Sequence, residues 1–387
     1  MIYREPQLTA RDQAVLDLIG LQRSKLKHYT EASPRRWIGS LRRTGLARAI
    51  RGSNSIEGYL ATLDQAVDAV DAEPPFDERT ETWAAISGYR NALTCIMQAA
   101  GDPYFEFSKQ FLKSLHFMMI GHDMSKRPGQ WRLGTIFVAD SHTEEMIYEG
   151  PDIDDVDRLM GELVATLGES TDTPALVKAA MAHLNLAMIH PFKDGNGRMA
   201  RALQTLVLAR EGLLHPVFSS IEEWLGRHTE DYYKVLRSMS NGTWAPDTDT
   251  RPWIEFCLKA HYQQALIFIR RNEEYSALFE QIEELLRAEA LPDRAVLPLL
   301  DAATGLRLTN ARYQREADVS MHIATRDLKT LSGAGLLIAH GEKRGRYYMP
   351  SDTLAALRQK VRANKPVHDP YELVDKGVDG EPRLPGL

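Results

Sequence analysis

Cysteine is scarce in this sequence: its 387 residues include only Cys95 and Cys257. One disulfide could not staple a chain of this length, so the scarcity indicates a reducing compartment with two free thiols. Neither cysteine belongs to a C-x-x-C pair, which excludes a zinc site made of cysteines.

Long apolar runs are also absent. Ala265–Ile269 is among the longest, and it falls far below the roughly 20 residues that a membrane-spanning helix needs. The first residues, MIYREPQLTARDQ, lack the apolar segment of a signal peptide. We therefore expect a cytoplasmic protein that has no membrane partner.

Charge of one sign is not in large excess. The 47 Lys and Arg against 53 Asp and Glu leave a net charge of −6, which argues against a protein that coats polyanions along its whole surface. A single basic face could still lie within this average. The hydrophobic fraction of 43% is ordinary for a globular protein, and the length suggests two or three domains.

Helical periodicity dominates the chain up to about residue 290. In Leu8–Tyr29, for example, apolar residues recur at spacings of three and four, which is typical of an amphipathic helix. The exception is 133–149, where two short β-type runs flank the polar stretch Asp140–Glu145. This pattern predicts a β-hairpin, or flap, within a mostly α fold.

The order of elements changes near residue 290. Three helical segments (Arg294–Thr304, Asn310–Ala317 and Met321–Leu331) precede two strand candidates at Leu336–Ala339 and Arg346–Met349. This order predicts a C-terminal winged helix-turn-helix, followed by a partly disordered tail rich in Pro, Gly and charge. The predicted units are an N-terminal helical region 1–100, a catalytic core 101–288, a winged helix 289–352 and a tail 353–387.

The densest group of polar residues is HPFKDGNGRMAR, at 190–201. Gly195-Asn196-Gly197 gives the backbone freedom to turn N–H groups toward one point at the start of a helix, and this is a ready anion site. Arg198 and Arg201 are three residues apart on that helix, so they share a face and can clamp a polyphosphate.

Two further residues of this segment suggest chemistry. Asp194 offers a hard oxygen ligand for Mg²⁺, which commonly binds one or two carboxylates together with phosphates. His190 is a natural general base, because its unperturbed pKa lies near neutral pH. Base, metal ligand, phosphate cradle and arginine clamp together indicate phosphoryl or nucleotidyl transfer from a nucleotide.

The segment 190–201 resembles the Fic-domain signature H-P-F-x-[DE]-G-N-G-R-x-x-R at all nine specified positions. The resemblance extends to Pro128–Arg132, which looks like the segment that introduces the family's flap, and to Tyr232-Tyr233 and Trp253–Phe256 behind the site. One departure is Leu186-Ala187, where many relatives have Phe-Glu.

The resemblance implies a mostly α, Fic-type core that transfers AMP from ATP to a Ser, Thr or Tyr hydroxyl of a target protein. His190 would be the catalytic base and Asp194 the Mg²⁺ ligand. The target would pair with the flap by β-augmentation. The nucleotide-binding residues would be Lys193, Gly195, Asn196, Gly197, Arg198, Arg201, Tyr232 and Tyr233.

A second segment, Ser53–Gly58, is similar to the family's inhibitory motif [ST]-x-x-x-E-[GN]. The resemblance implies that Ser53, Glu57 and Gly58 form an inhibitory element, in which Glu57 pairs with Arg201 and keeps ATP in an unproductive orientation. An alternative is that Glu57 aligns a water molecule and removes AMP from modified targets.

The C-terminal unit has a local excess of positive charge. This basic set consists of Arg312, Arg315, Arg326, Lys329, Lys343, Arg344 and Arg346. Such a set could contact DNA phosphates, although winged helices serve equally well as protein-binding or homodimer modules. The sequence leaves open a DNA-binding regulator whose Fic core only senses nucleotide.

Overall fold

The computed structural model describes residues 1–32, 35–73, 80–139, 146–169, 172–212, 214–362 and 366–376. Helices make up most of these ranges, and the strands are few and short. The mostly α fold predicted from periodicity is therefore confirmed. Within the described ranges, no helix combines the length and the apolar character needed to cross a membrane.

Five helices precede the predicted flap, and several begin at side-chain caps. At the first helix the Thr9 hydroxyl accepts from the Asp12 N–H, and the Asp12 carboxylate accepts from the Thr9 N–H. This reciprocal pair satisfies two backbone donors that a helix start leaves free. The five are α1 (Ala10–Lys27), α2 (Ile38–Ile56), α3 (Leu63–Val70), α4 (Glu81–Gly101) and α5 (Lys109–Ile120).

The central region contains the flap and seven helices. Strands β1 (Phe137–Ala139) and β2 (Met146–Glu149) pair antiparallel, which confirms the predicted hairpin; residues 140–145 lie outside the described residues. The helices are α6 (Ile153–Gly168), α7 (Ala175–Ile189), α8 (Asn196–Glu211), α9 (Pro216–Ser219), α10 (Glu222–Arg227), α11 (Thr229–Ser238) and α12 (Arg251–Ala288). Helices α7 and α8 are buried along most of their length, so the segment that joins them is held on a rigid support.

The C-terminal unit follows the predicted order of helices and hairpin, with one added strand. Its elements are α13 (Val296–Ala303), β3 (Leu308–Thr309), α14 (Asn310–Ala317), α15 (Met321–Gly333), β4 (Leu337–His340) and β5 (Tyr347–Pro350). The strands form one antiparallel sheet in the order β3-β5-β4. Its designation as a winged helix stays a prediction.

Two helices lie where composition predicts a tail. Helix α16 (Asp352–Val361) buries Leu354, and α17 (Pro370–Asp375) buries Tyr371. The Tyr371 hydroxyl donates to Asp12 Oδ1 at 3.1 Å, which attaches α17 to α1. The composition of this region is dominated by Pro, Gly and charged residues, and it does not reveal the few apolar residues that anchor the two helices. Composition alone therefore underestimates the helical structure here. Residues 363–365 and 377–387 lie outside the described residues.

The described residues form three hydrophobic clusters, and α12 takes part in the two larger ones. Trp253 and Leu258, near its start, belong to the cluster that surrounds α7 and α8. Leu278, Ile282 and Leu286, near its end, belong to the cluster of the C-terminal unit. The region around α7 and α8 and the C-terminal unit are therefore built on one continuous helix.

Helix α2 is held from two sides. It crosses α10 where Gly52 meets Gly226, so closely that a Cβ added to Gly226 would lie 2.8 Å from the Gly52 Cα. On its other side, Arg43 forms ion pairs with Asp301 of α13 and Glu316 of α14. The position of α2 thus depends both on α10 and on the C-terminal unit.

The neighbouring helix α3 also docks on the C-terminal unit. Arg312 pairs with Asp68 at 2.8 Å, and Arg315 pairs with Asp71 at 2.6 Å. Arg312 is 1% exposed, so these two members of the basic set are neutralised by α3 and add nothing to a free basic surface. The α3 carboxylates lie far from both arginines along the chain, so the local sequence indicates only the positive charge and predicts a DNA-facing position.

Candidate active site

Helix α7 ends at the predicted base. His190 has left-handed backbone angles, φ 50° and ψ 56°, and Pro191 follows it, so the chain turns sharply away from the helix axis. His190 Nδ1 lies 3.1 Å from the Ala187 carbonyl oxygen. A carbonyl only accepts, so Nδ1 carries the proton and Nε2 keeps its lone pair. This tautomer is the one that a general base requires.

The surroundings of His190 favour its neutral form. Burial lowers the pKa of His190 below its ordinary value of 6.5, the Ala187 carbonyl and the Glu57 carboxylate act against this, and the Arg132 guanidinium acts with it. The imidazole is therefore ready to accept a proton at neutral pH.

The loop after His190 is locked by one side chain. Asn196 Oδ1 accepts from the Phe192 N–H at 2.9 Å, and Asn196 Nδ2 donates to the Phe192 carbonyl at 2.9 Å. Both Oδ1 and Nδ2 of Asn196 are thus bonded within the loop, and its backbone N–H is the group we expect to make the predicted phosphate contact. Gly195 has φ +78° and precedes the first residue of α8, a conformation that glycine adopts without strain.

Two buried arginines follow on α8. Arg198 and Arg201 are each 1% exposed. Arg198 Nε and Nη1 and Arg201 Nη1 have no hydrogen-bond partner among the described residues. Buried donors of this kind are costly unless a ligand satisfies them. The pair therefore suits the predicted anion, although Arg198 does not line the cavity directly and instead lies over the Tyr59 ring.

The rest of the Arg201 guanidinium is bound by the end of α2. Its Nε donates to Ser53 Oγ at 2.8 Å, and its Nη2 donates to the Ser53 carbonyl at 3.0 Å and to Glu57 Oε1 at 2.6 Å. Burial is the largest single influence on the pKa of Arg201 and lowers it, but Glu57, Tyr232 and Tyr89 together outweigh burial, so the pKa is raised. The Glu57–Arg201 contact is thus observed, and its inhibitory role stays a prediction.

Glycines make room for this contact. A Cβ on Gly197 would lie 2.4 Å from Glu57 Oε1, so any larger residue would push the carboxylate away from Arg201. Gly58 has φ +84° and ends the inhibitory segment. Tyr233 supports the same segment, since its hydroxyl donates to the Ile56 carbonyl at 3.2 Å.

Asp194 is the predicted metal ligand. Its Oδ2 forms an ion pair with Lys126 Nζ at 2.7 Å, and its Oδ1 accepts from the Gly195 N–H at 2.6 Å. Burial would raise the pKa of Asp194, but the Lys126 ammonium, the Arg198 guanidinium and the Gly195 N–H together outweigh burial, so the pKa is lowered. No group of three or more potential ligands occurs in the part of the chain that the structure describes. Asp194 offers one carboxylate to an Mg²⁺ ion that a nucleotide's phosphates would bring, and this role stays a prediction.

His116 of α5 packs against the loop that contains Asp194. Its ring stacks on Phe192 with centroids 3.7 Å apart. The Gly129 N–H donates to His116 Nδ1 at 2.8 Å, and so Nε2 donates to the Asp194 carbonyl at 2.9 Å. Burial lowers the pKa of His116 to about 4, which keeps it neutral.

A cavity of about 360 Å³ brings the predicted residues together. The flap, the end of α7, the start of α8 and α11 form its walls. Tyr232 lies deep in the wall and donates to His183 at 2.9 Å, while Lys193 binds the Ser125 carbonyl at the rim. The predicted site residues on its lining are Glu57, His190, Lys193, Asp194, Gly195, Asn196, Gly197, Arg201, Tyr232 and Tyr233.

Three residues of the site were not singled out from the sequence: His116, Lys126 and Arg132. The first two precede the motif by more than 60 residues and carry no local pattern that indicates a contact with Asp194. Arg132 stands in the segment that resembles the flap entry, and this was the available signal. All three residues lie far from the 190–201 motif along the chain, so local sequence patterns do not indicate that they contact it.

The sequence model of the Fic/DOC family matches residues 106–208, which contain the flap, the loop after His190 and most of α8. This part of the chain is therefore similar to a Fic domain. Among curated relatives, "Protein adenylyltransferase Fic" of Nematostella vectensis is 27% identical over 289 residues. "Protein adenylyltransferase fic-1" of Caenorhabditis elegans is 37% identical over 92 residues.

These relatives are longer than the matched region. The alignment covers 73% of this chain and 62% of the Nematostella protein, and 24% of this chain and 16% of the nematode protein. The chain thus spans less than two thirds of the curated relatives it matches.

Two solved structures of Fic proteins share the fold of much of this chain. A Fic family protein from Desulfovibrio desulfuricans G20 matches 90% of this chain and 99% of its own, with a TM-score of 0.59 and 21% identity. A portion of Fic-1 from C. elegans matches 67% of this chain and 72% of its own, with a TM-score of 0.53 and 19% identity. At these identities the likeness shows the fold alone, and it confirms the predicted Fic-type helical core.

Proposed function

We propose that this chain is a protein adenylyltransferase, which transfers AMP from ATP to a Ser, Thr or Tyr hydroxyl of a protein. One observation carries the proposal: a histidine with a free Nε2 lone pair, a carboxylate and a buried arginine with an unsatisfied donor line the same cavity. The printed names of the curated relatives support the same activity.

The proposed reaction follows from the positions of these groups. His190 Nε2 takes the proton of the target hydroxyl as its oxygen attacks the α-phosphorus of ATP. The bond between the α-phosphorus and the bridging oxygen breaks, and pyrophosphate leaves. Backbone N–H groups at the start of α8 stabilise the charge on the α-phosphate, while Arg198 and Arg201 bind the β- and γ-phosphates. Mg²⁺ bound at Asp194 would neutralise phosphate charge.

Glu57 restrains this activity in the proposal. Its carboxylate occupies one donor of Arg201, at 2.6 Å, and places negative charge where the γ-phosphate would bind. ATP then enters without its α-phosphate in line with the target hydroxyl. The restraint is contained in the chain itself, since Ser53 and Glu57 belong to α2 and its end.

Incubation with ATP labelled on the α-phosphate, with Mg²⁺, tests the proposal. We expect Glu57→Gly to raise self-modification by about tenfold or more, because it frees one donor of Arg201 for a charged hydrogen bond to phosphate. His190→Ala in the same background should abolish the label. Glu57→Gln is the matched control and should release less, since it keeps the shape and loses the charge. Label that persists without His190 would refute the assigned base.

Removal of AMP is a second candidate function, favoured by the position of Glu57 on the same cavity as His190. There Glu57 could align a water molecule against the phosphate of a modified residue. A pre-modified protein supplied without ATP separates the two activities, because only the removal releases AMP and needs Glu57.

A separate proposal concerns the C-terminal unit, which we propose is a winged helix. Arg326 and Lys329 on α15 are exposed and remain available to a DNA duplex. A steep fall of duplex affinity with salt would support DNA binding, whereas no binding to any duplex at low salt would leave a protein partner or a homodimer as the role of this unit.

A further inference from the structure

Arg132 is a buried cation whose partners are backbone oxygens. The side chain is 4% exposed, and no carboxylate of the described residues lies within ion-pairing distance. Its Nε donates to the His190 carbonyl at 3.1 Å, its Nη1 to the Gly134 carbonyl at 2.5 Å, and its Nη2 to the Pro151 carbonyl. Its own N–H donates to the Pro191 carbonyl at 2.9 Å.

The three carbonyls belong to three places that matter for catalysis. Gly134 lies just before β1 and Pro151 lies just after β2, so they are the two ends of the flap. His190 is the proposed base. One rigid, planar group therefore fixes both ends of the flap to the residue that accepts the proton. Burial lowers the pKa of Arg132, and the nearby Asp152 carboxylate acts against this. A buried charge is costly unless it is hydrogen-bonded, and the three carbonyls supply those hydrogen bonds.

We infer that Arg132 is a positioning residue, which sets the distance between the flap and His190 so that a target strand paired with the flap presents its hydroxyl to Nε2. The inference rests on the proposed adenylyl transfer. It adds a link that the motif residues alone do not contain: the protein-binding flap and the base move as one unit.

The charge of Arg132 gives the inference a second, independent readout. Burial is the main cause of the low pKa of His190; the Ala187 carbonyl and the carboxylates of Glu57 and Asp194 raise this pKa, and the Arg132 guanidinium lowers it. Arg132→Gln removes that charge, so the acid limb of the transfer rate should move to higher pH. Arg132→Lys keeps the charge but cannot bridge three carbonyls, so it should lower the rate without moving the limb.

The experiment compares Arg132→Gln and Arg132→Lys, each in the Glu57→Gly background, with Arg158→Gln as a control for losing a surface arginine. The measurements are the rate of self-modification at saturating ATP across pH, and the affinity for a non-hydrolysable ATP analogue. We expect both Arg132 variants to slow transfer by about 10–100-fold, because a displacement of about 1 Å costs that much, with analogue affinity within about twofold. The control should match its parent.

Three results would overturn the inference: transfer at the parental rate, loss of analogue affinity in parallel with rate, or the same acid limb in the Gln and Lys variants. If Arg132→Gln does not fold, the Lys variant alone must still show slow transfer with normal analogue affinity. A Glu57→Gly parent that shows no His190-dependent label contradicts the proposed function instead, so the two failures are distinguishable.

Discussion

At the scale of single residues, the site is defined by which atoms are already engaged. His190 donates its Nδ1 proton to the Ala187 carbonyl, and Asn196 binds Phe192 through both Oδ1 and Nδ2. Within the part of the chain that the structure describes, Arg198 Nε and Nη1 and Arg201 Nη1 have no hydrogen-bond partner, and Nε2 of His190 keeps its lone pair. The chemistry follows from these unpaired groups more than from the residue types.

The low pKa of His190 predicts the pH dependence of transfer. A general base works in its neutral form, so the rate is lost as pH falls through its pKa. Since this pKa lies below 6.5, the Glu57→Gly variant should keep most of its rate at pH 6.5 and lose it at a lower pH. Initial rates of labelled AMP transfer between about pH 4.5 and 8 check this. An acid limb centred above 6.5 would contradict it.

At the scale of elements, the contact between α2 and α10 offers a way to test inhibition without touching the site. Gly226→Ala would place a methyl group against the backbone of α2 at Gly52. Backbone cannot move aside as a flexible side chain does, so α2 must shift and Glu57 must retreat from Arg201. We expect labelling to rise with Glu57 intact, and the free energy of unfolding to fall by about 1–3 kcal/mol.

Gly161→Ala in α6 is the matched control for this variant. A Cβ there would meet nothing within 4 Å, and alanine in a helix is more favourable than glycine by about 0.5–1 kcal/mol. It should leave labelling unchanged. If Gly226→Ala loses the predicted stability and still labels no faster than wild type, the position of α2 does not govern inhibition.

The elements also show how far the sequence carries. Periodicity predicted the helical fold and the flap, and the nine matched positions predicted the residues around the loop of α7 and α8. The same reasoning missed His116, Lys126 and Arg132, because each reaches the site through a long-range contact. The prediction that Arg312 faces DNA was also wrong, because its carboxylate partners on α3 lie more than 240 positions earlier. Local patterns carry no information on such pairs.

At the scale of the whole molecule, α2 connects the two halves. Its last turn binds Arg201 through Ser53, and its first half binds α13 and α14 through Arg43. Asp301, one partner of Arg43, is fully buried and also accepts from Ser40 at 2.5 Å. Removal of one member of a buried ion pair costs about 3–5 kcal/mol, because it leaves a charge uncompensated.

Arg43→Gln is therefore expected to loosen α2 and to raise labelling, although it changes no residue of the cavity. Added to Glu57→Gly it should raise labelling no further, because the inhibitory carboxylate is already gone. Arg358→Gln is the control: Arg358 joins α16 to Glu274 of α12 at 2.8 Å, within the same half, without touching α2. Equal labelling in the Arg43 and Arg358 variants would refute a specific role for the α2 contact.

The continuous helix α12 limits how this protein can be recombined. At 1.5 Å per residue, its 38 residues extend for roughly 57 Å, and its last three turns contribute Leu278, Ile282 and Leu286 to the second cluster. A junction placed between residues 288 and 289 would expose those side chains on one fragment. It would also expose, on the other fragment, the apolar residues of the second cluster that pack against them. Exchange of C-terminal units between relatives would accordingly have to include the second half of this helix.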